Sequence, residues 1–146
     1  MHITDLRIGN IVNFRFEYDA KGDYSASGVN DFITEIGYAS GDAYIRGKNT
    51  GFRGAYLEYN GEPHVLGVPI SENWLIRMGF KRMCHQYCLS LIGDDFYDFT
   101  MISEQGKGFS EVVLYPFEDF RKYKYVHEVQ NLYFAITGNE LDISIK

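Results

Sequence analysis

The stretch VPISENWLIRMGF, residues 68–80, decides how the chain is divided, because the hydrophobic spacing changes within it. Ser71 is a good N-cap, and Ile70 before it can contact Leu75 as a hydrophobic staple. An acidic residue lies in the first turn, and Gly79 suits the left-handed position that ends a helix. We therefore predict a short helix here, between a region of strands and a second region that contains strands and a helix.

The N-terminal part of the chain carries a strand pattern that is interrupted twice. Apolar residues alternate over residues 6–16, and Gly9-Asn10 shifts the alternation as a bulge or bend would. Residues 17–30 are rich in Gly, Ser, Asp and Lys, so we expect an exposed loop there.

Further strands are predicted between this loop and the short helix. Residues 32–36 and 43–46 have the strand pattern. Asn60-Gly61 fits the type I′ turn of a β-hairpin, whose two central residues need positive φ angles. Short strands joined by turns are typical of a small twisted sheet or of an SH3-like barrel. We therefore predict a small antiparallel β module over residues 1–66.

The chain after the short helix predicts a β-meander that leads to a second helix. The predicted strands are residues 87–92, 96–102 and 111–115, followed by a short fourth strand at 121–124. Residues 125–137 have an amphipathic pattern, and Gly138 suits the end of that helix. We therefore predict an α+β fold and a single domain over residues 1–146, with a β sub-region at 1–66 and an α+β sub-region at 67–146.

The composition limits the classes of function. A net charge of −6 opposes non-specific binding to nucleic acid and to anionic membrane, because both need a positive face on the protein. The first residues lack the basic and apolar regions of a signal peptide, and no stretch approaches the roughly 20 apolar residues that span a bilayer. We therefore expect a cytoplasmic protein that contacts no membrane and keeps its two cysteines reduced.

Cys84-His85 with Cys88 resembles half of a zinc site, but the pattern is incomplete. Structural zinc takes four ligands, typically from two separated pairs, and the other histidines are scattered along the chain. A catalytic cysteine needs a neighbouring base and an electropositive setting, and the sequence indicates neither. We therefore expect no metal, and we interpret these residues as part of a strand and its turn.

Asp94, Asp95 and Asp98 raise the question of paired carboxylates for acid–base chemistry. Two of them follow Gly93, in a position where Asp is favoured because its side chain bonds nearby backbone amides in a turn. No Ser/His/Asp order, zinc-protease run or dinucleotide glycine signature occurs elsewhere. We therefore expect no catalytic residues, no cofactor and no enzymatic activity.

A basic segment remains at residues 46–54, RGKNTGFRG. It contains Arg46, Lys48 and Arg53 without an acidic residue. The overlapping stretch GDAYIRGKN, residues 41–49, fails the phosphate-loop motif, because five residues instead of four separate its glycines and Asn49 follows the lysine. We interpret the segment as a secondary contact candidate for a phosphate or an acidic partner, against the alternative of a solvated hairpin loop.

The final helix has two distinct sides. Its apolar residues occupy an arc of roughly 120° and predict a core-facing side. His127, Gln130, Asn131 and Phe134 occupy a second arc of roughly 100°, at the spacing of residues that touch one another on a helix. Either these four residues pack in a secondary core, with their amides bonded to backbone, or they form an exposed surface that receives a partner. A second copy of the chain would also satisfy them.

Three blocks of sequence occur together and in this order: LRIGN at residues 6–10, GVPISENWL at 67–75 with Gly79-Phe80, and YVHEVQNLYFAITG at 125–138. Together they resemble a family of short uncharacterised proteins from Bacteroidetes genomes and their phages. That family has no assigned activity, so the resemblance identifies no catalytic residue. It implies an accessory protein of a prophage or mobile element.

These observations favour a small non-enzymatic protein that acts by binding another macromolecule, with a protein as the expected partner. A different class of function competes with it. The 12 Tyr and 11 Phe residues would suit sheet packing, but they would also suit an aromatic pocket for a nucleotide or another small ligand. Weak nucleic-acid binding through an SH3-like barrel is the third interpretation.

Overall fold

The computed structural model of the chain describes residues 3–18, 24–39, 41–49, 55–56, 58–59, 62–91, 100–116 and 121–144. The chain divides into two compact units, Met1–Val68 and Pro69–Lys146, which we call unit 1 and unit 2. The fold is α+β, as predicted, with antiparallel strands in both units and its α-helices in unit 2. Among the described residues, no helix combines the length and the apolar character needed to cross a membrane. The single domain with sub-regions at 1–66 and 67–146 stays a prediction.

Unit 1 begins with a 3₁₀ helix, Ile3–Asp5, and continues as strands. These are β1 (Ile11–Tyr18), β2 (Tyr24–Ala39), β3 (Asp42–Gly47), β4 (Ala55–Tyr56), β5 (Glu58–Tyr59), β6 (Glu62–Pro63) and β7 (Val65–Gly67). Within the described residues, five of them form an antiparallel sheet in the order β4-β3-β2-β1-β7. The pairing of β5 with β6 confirms the predicted hairpin, although its turn residues, Asn60 and Gly61, lie outside the described residues.

The loop predicted at residues 17–30 is wrong, because most of those residues lie in strands. Tyr18 pairs with Tyr24, and Phe14 pairs with Val29, so β1 and β2 form one long antiparallel pair. The Gly and Ser residues there weaken the strand propensity, but pairing with a neighbouring strand decides the conformation. The strands predicted at residues 32–36 and 43–46 are confirmed as parts of β2 and β3.

The bend predicted at Gly9-Asn10 is confirmed and sets the start of β1. Gly9 has a φ of 93°, which glycine adopts without a steric penalty, and its N–H donates to the carbonyl of Ile33 at 2.8 Å. The Asn10 side chain is fully buried, and its Oδ1 accepts the N–H of Arg7 at 2.7 Å. The LRIGN block therefore has a structural role.

Unit 1 has its own hydrophobic core beneath one face of the sheet. Val12 and Phe14 point into it, whereas the half-buried Asn13 and the exposed Arg15 alternate with them on β1. The buried members of the core are Leu6, Val12, Phe14, Ile33, Ile45 and Val65. They come from β1, β2, β3, β7 and the segment before β1, so the core holds the sheet together across its width.

Unit 2 contains two α-helices on either side of a meander in the described part of the chain. Its elements are α1 (Glu72–Arg77), β8 (Lys81–Met83), β9 (Gln86–Ser90), β10 (Thr100–Glu104), a 3₁₀ helix (Gln105–Lys107), β11 (Val112–Tyr115), β12 (Lys122–Tyr123) and α2 (Val126–Thr137). Strands pair in sequence order, β12-β11-β10-β9-β8, which confirms the predicted meander. Residues 92–99, which include most of the strand predicted at 96–102, lie outside the described residues. The sequence analysis missed β8, which extends the sheet by one strand.

The short helix predicted from residues 68–80 is confirmed, together with the residues that begin and end it. The Ser71 hydroxyl accepts the N–H of Trp74 at 3.4 Å, as an N-cap does. At the other end, Phe80 N–H donates to the Leu75 carbonyl at 3.0 Å, and Gly79 has a φ of 88°. This is the Schellman arrangement, in which a left-handed glycine ends the helix.

Candidate functional site

The start of α2 is organised by one acidic side chain. Glu128 Oε1 accepts the N–H groups of Lys124 and Tyr125, both at 3.1 Å, and its Oε2 lies 2.8 Å from Arg121 Nη2. Backbone N–H groups at a helix start lack partners within the helix, so a carboxylate at this position stabilises it. Glu128 therefore has a structural role in the block that begins at Tyr125.

The four residues of the predicted stripe divide into a buried half and an accessible half. His127 is 4% exposed and Gln130 is 2% exposed, so their side chains lie in the interior. The ring of His127 stacks on that of Tyr125, with centroids 5.8 Å apart and an angle of 18° between the planes. Asn131 is half-buried, whereas Phe134 is 39% exposed. Contact with a partner stays a prediction for these residues.

The accessible half of α2 ends in a turn whose backbone is hydrogen-bonded up to Gly138. Gly138 has a φ of 74°, and its N–H donates to the carbonyl of Phe134 at 2.8 Å. The Thr137 hydroxyl donates to the carbonyl of Tyr133 at 2.7 Å. Ala135 is also exposed and adds little bulk beside the aromatic ring. Phe134 is therefore displayed on a regular and well-closed helical turn.

The structure describes two of the three basic residues predicted as a contact segment, Arg46 and Lys48, and one of them is paired with an acid. Arg46 Nη1 lies 3.3 Å from Glu35 Oε2, so an acid on the neighbouring strand compensates its charge. Glu35 Oε1 accepts the Tyr44 hydroxyl at 2.6 Å, and this hydrogen bond raises the pKa of Tyr44. Lys48 is exposed, and Arg53 lies outside the described residues. The acid was missed because it is distant in sequence, on β2.

A buried carboxylate fixes the backbone at the start of the same segment. Asp31 lies in β2 and is buried. Its Oδ1 accepts the N–H of Phe32 at 2.8 Å, and its Oδ2 accepts the N–H of Asn49 at 2.6 Å. Hydrogen bonds to a charged acceptor are stronger than those between neutral groups. Asp31 therefore orients the chain next to Lys48.

A cluster of four side chains in unit 2 was not predicted from the sequence. The Arg82 guanidinium lies 5.7 Å from the ring centre of Tyr87 and 5.5 Å from that of Phe109. The two rings meet edge to face, with centroids 5.1 Å apart. Glu72 Oε1 accepts the Tyr87 hydroxyl at 2.8 Å and lies 3.1 Å from Arg82 Nη1. The cluster therefore connects α1 with β8 and β9.

Two unusual backbone conformations occur here, one at Phe109 within the cluster and one at Cys84, whose carbonyl accepts a hydrogen bond from Arg82 Nε at 3.4 Å. Cys84 has a φ of 55° and Phe109 a φ of 53°, a region that bulky side chains rarely adopt. Phe109 is held there because its ring is buried against Tyr87 and its N–H donates to the carbonyl of Glu104 at 3.2 Å. The polar groups of the cluster bond one another, so we interpret it as a structural connection. The sequence analysis missed the cluster because its four residues are far apart in the sequence.

The cysteine and histidine residues near β9 lie in a strand and its turn, as expected. Cys84 and His85 form the turn between β8 and β9, and Cys88 lies in β9. Burial raises the pKa of the Cys88 thiol, which reduces its reactivity. The described residues include no group of three His, Cys, Asp or Glu side chains placed to hold a metal ion. Asp94, Asp95 and Asp98 lie outside the described residues.

His64 is a buried histidine of unit 1 that the sequence analysis treated only as scattered. Its ring centroid lies 4.3 Å from that of Phe16. Its carbonyl accepts the N–H of Arg15 at 2.9 Å, and the Arg15 side chain lies 3.2 Å from Glu62. Burial lowers the pKa of His64, with a smaller upward effect from Glu62 and a smaller downward effect from Arg15.

We expect the free energy of unfolding to decrease as the pH falls below about 6.5, the ordinary pKa of histidine. The native pKa of His64 lies below that of the unfolded chain, so the unfolded chain binds the proton first and acid favours unfolding. The contribution is fully present above the unfolded pKa and is lost as the pH falls toward the folded pKa. Urea denaturation of the wild type and of His64→Gln, between about pH 5 and pH 8, measures it.

The exposed His85 provides the control for this pH dependence. His85→Gln should retain the decrease in stability below about pH 6.5, whereas His64→Gln should flatten it. A profile for His64→Gln that is as steep as that of the wild type would show that another group is responsible.

Comparisons of the chain with models of protein families, with curated proteins and with solved structures find no match.

Proposed function

We propose that this chain is a non-enzymatic accessory protein that acts by binding another protein. The contact is made by the accessible half of α2, namely Asn131, Phe134 and Ala135, which we call the α2 surface. The observation that carries the proposal is the exposure of Phe134, 39%, on a helix whose first half is occupied by capping and core residues. Exposed aromatic rings are the side chains that most often anchor protein contacts.

The shape of the α2 surface favours a protein over a small ligand. Small-molecule sites are concave and surround most of the ligand with apolar and aromatic groups. The α2 surface is one side of a helix, with an aromatic ring, a half-buried amide and a small alanine. Such a side fits into a groove of a partner, as amphipathic helices do in many complexes.

We also propose that unit 1 is an SH3-like barrel. Strands β1 to β4 pair in sequence order, and β7 returns to pair with the free side of β1, with Phe14 opposite Val65. The pairing of β2 shifts by one residue between Ile33 and Glu35, which bends the strand as barrel closure requires. This order is typical of SH3-like sheets, which serve many functions, so it supports the fold and not a particular partner.

The resemblance of the LRIGN, GVPISENWL and YVHEVQNLYFAITG blocks to proteins of Bacteroidetes and their phages supports the biological setting that we propose. In that setting the chain is encoded by a phage or prophage and binds its partner protein in the cytoplasm. The third block contains the exposed Phe134, so we place the contact there.

Photo-crosslinking tests the α2 surface directly. The photo-reactive amino acid p-benzoylphenylalanine, which approximates the shape of phenylalanine, replaces Phe134 in the full chain, and the chain is produced in its native cells. We expect irradiation to yield a discrete crosslinked protein, which mass spectrometry identifies as a different protein or as a second copy of the chain. The ring is exposed, so the replacement should leave the fold intact.

The same amino acid at Tyr38 is the matched control, because Tyr38 is a strongly exposed aromatic residue of unit 1. It should not give the product that is obtained from position 134. The absence of a product from position 134, or the same product from both positions, would contradict the proposed function.

A further inference from the structure

We draw no further inference here: the strongest candidate, the outer edge of the short strand β8 with the exposed Lys81 and Arg82, carries nothing because a three-residue edge with two cations resists strand pairing and nothing in the described part of the structure shows what covers it.

Discussion

Phe14→Ala is expected to lower the free energy of unfolding by about 3–5 kcal/mol. Phe14 is fully buried in the core of unit 1, where it packs among residues from β1, β2, β3 and β7. Removal of the ring loses its transfer free energy and leaves a cavity that a sheet held on several strands cannot close. Urea denaturation followed by circular dichroism measures the change.

Phe134→Ala is the matched control, because it makes the same chemical change at an exposed position. We expect it to lower the free energy of unfolding by less than about 1 kcal/mol. It should nevertheless abolish binding at the α2 surface. If Phe134→Ala destabilised the protein as much as Phe14→Ala does, Phe134 would be a core residue and the α2 surface would have no role in binding.

Asp31→Ala is expected to lower the free energy of unfolding by about 2–4 kcal/mol. The carboxylate accepts two backbone N–H groups, from Phe32 and from Asn49, and the substitution leaves both without this acceptor in a partly buried place. The loss should be concentrated where β2 meets the segment after β3. Urea denaturation gives the magnitude, and hydrogen exchange of the Asn49 amide shows the local opening.

Two further substitutions define the contribution of the Asp31 carboxylate. Asp31→Asn keeps one oxygen acceptor but removes the charge, so its effect should lie between the wild type and Asp31→Ala. Asp42→Ala removes an exposed aspartate at the start of β3 and should change stability by less than about 0.5 kcal/mol. Equal effects of Asp31→Ala and Asp42→Ala would mean that the two hydrogen bonds contribute nothing.

Elements with local signals were predicted well from the sequence. Ser71 and Gly79 define both ends of α1, and Gly138 defines the end of α2. Each acts on backbone groups within a few residues, so the pattern of neighbouring residues contains the information. The meander was also predicted, because its strands alternate and are separated by turn residues.

Elements that depend on distant partners were predicted poorly. Residues 24–30 lack a strong strand pattern, but they belong to the long antiparallel pairing of β2 with β1. Strand β8 has only three residues, all exposed, and it exists because it pairs with β9 across the turn at Cys84 and His85. In both cases pairing with another strand stabilises the strand conformation, and the local sequence pattern does not indicate that pairing.

The same distinction applies to the candidate site. Helical spacing groups His127, Gln130, Asn131 and Phe134 on one side of α2, because they follow one another at i, i+3, i+4 and i+7. Helical spacing does not indicate which residues other parts of the protein cover. The sequence therefore did not predict that His127 and Gln130 are buried while Phe134 is exposed. The acid that compensates Arg46 was missed for a related reason, since Glu35 lies beside it only through the pairing of β2 with β3.

Trp74 is an intrinsic fluorescence probe of unit 2. It is the single tryptophan of the sequence, it lies in α1 of unit 2, and it is largely buried beside Arg77. Its emission therefore follows the environment of unit 2, whereas circular dichroism averages over the strands of both units. Both signals can be recorded during the unfolding of Phe14→Ala, with no added label. Coincident transitions would show that the two units unfold cooperatively, and separate transitions would show that they do not.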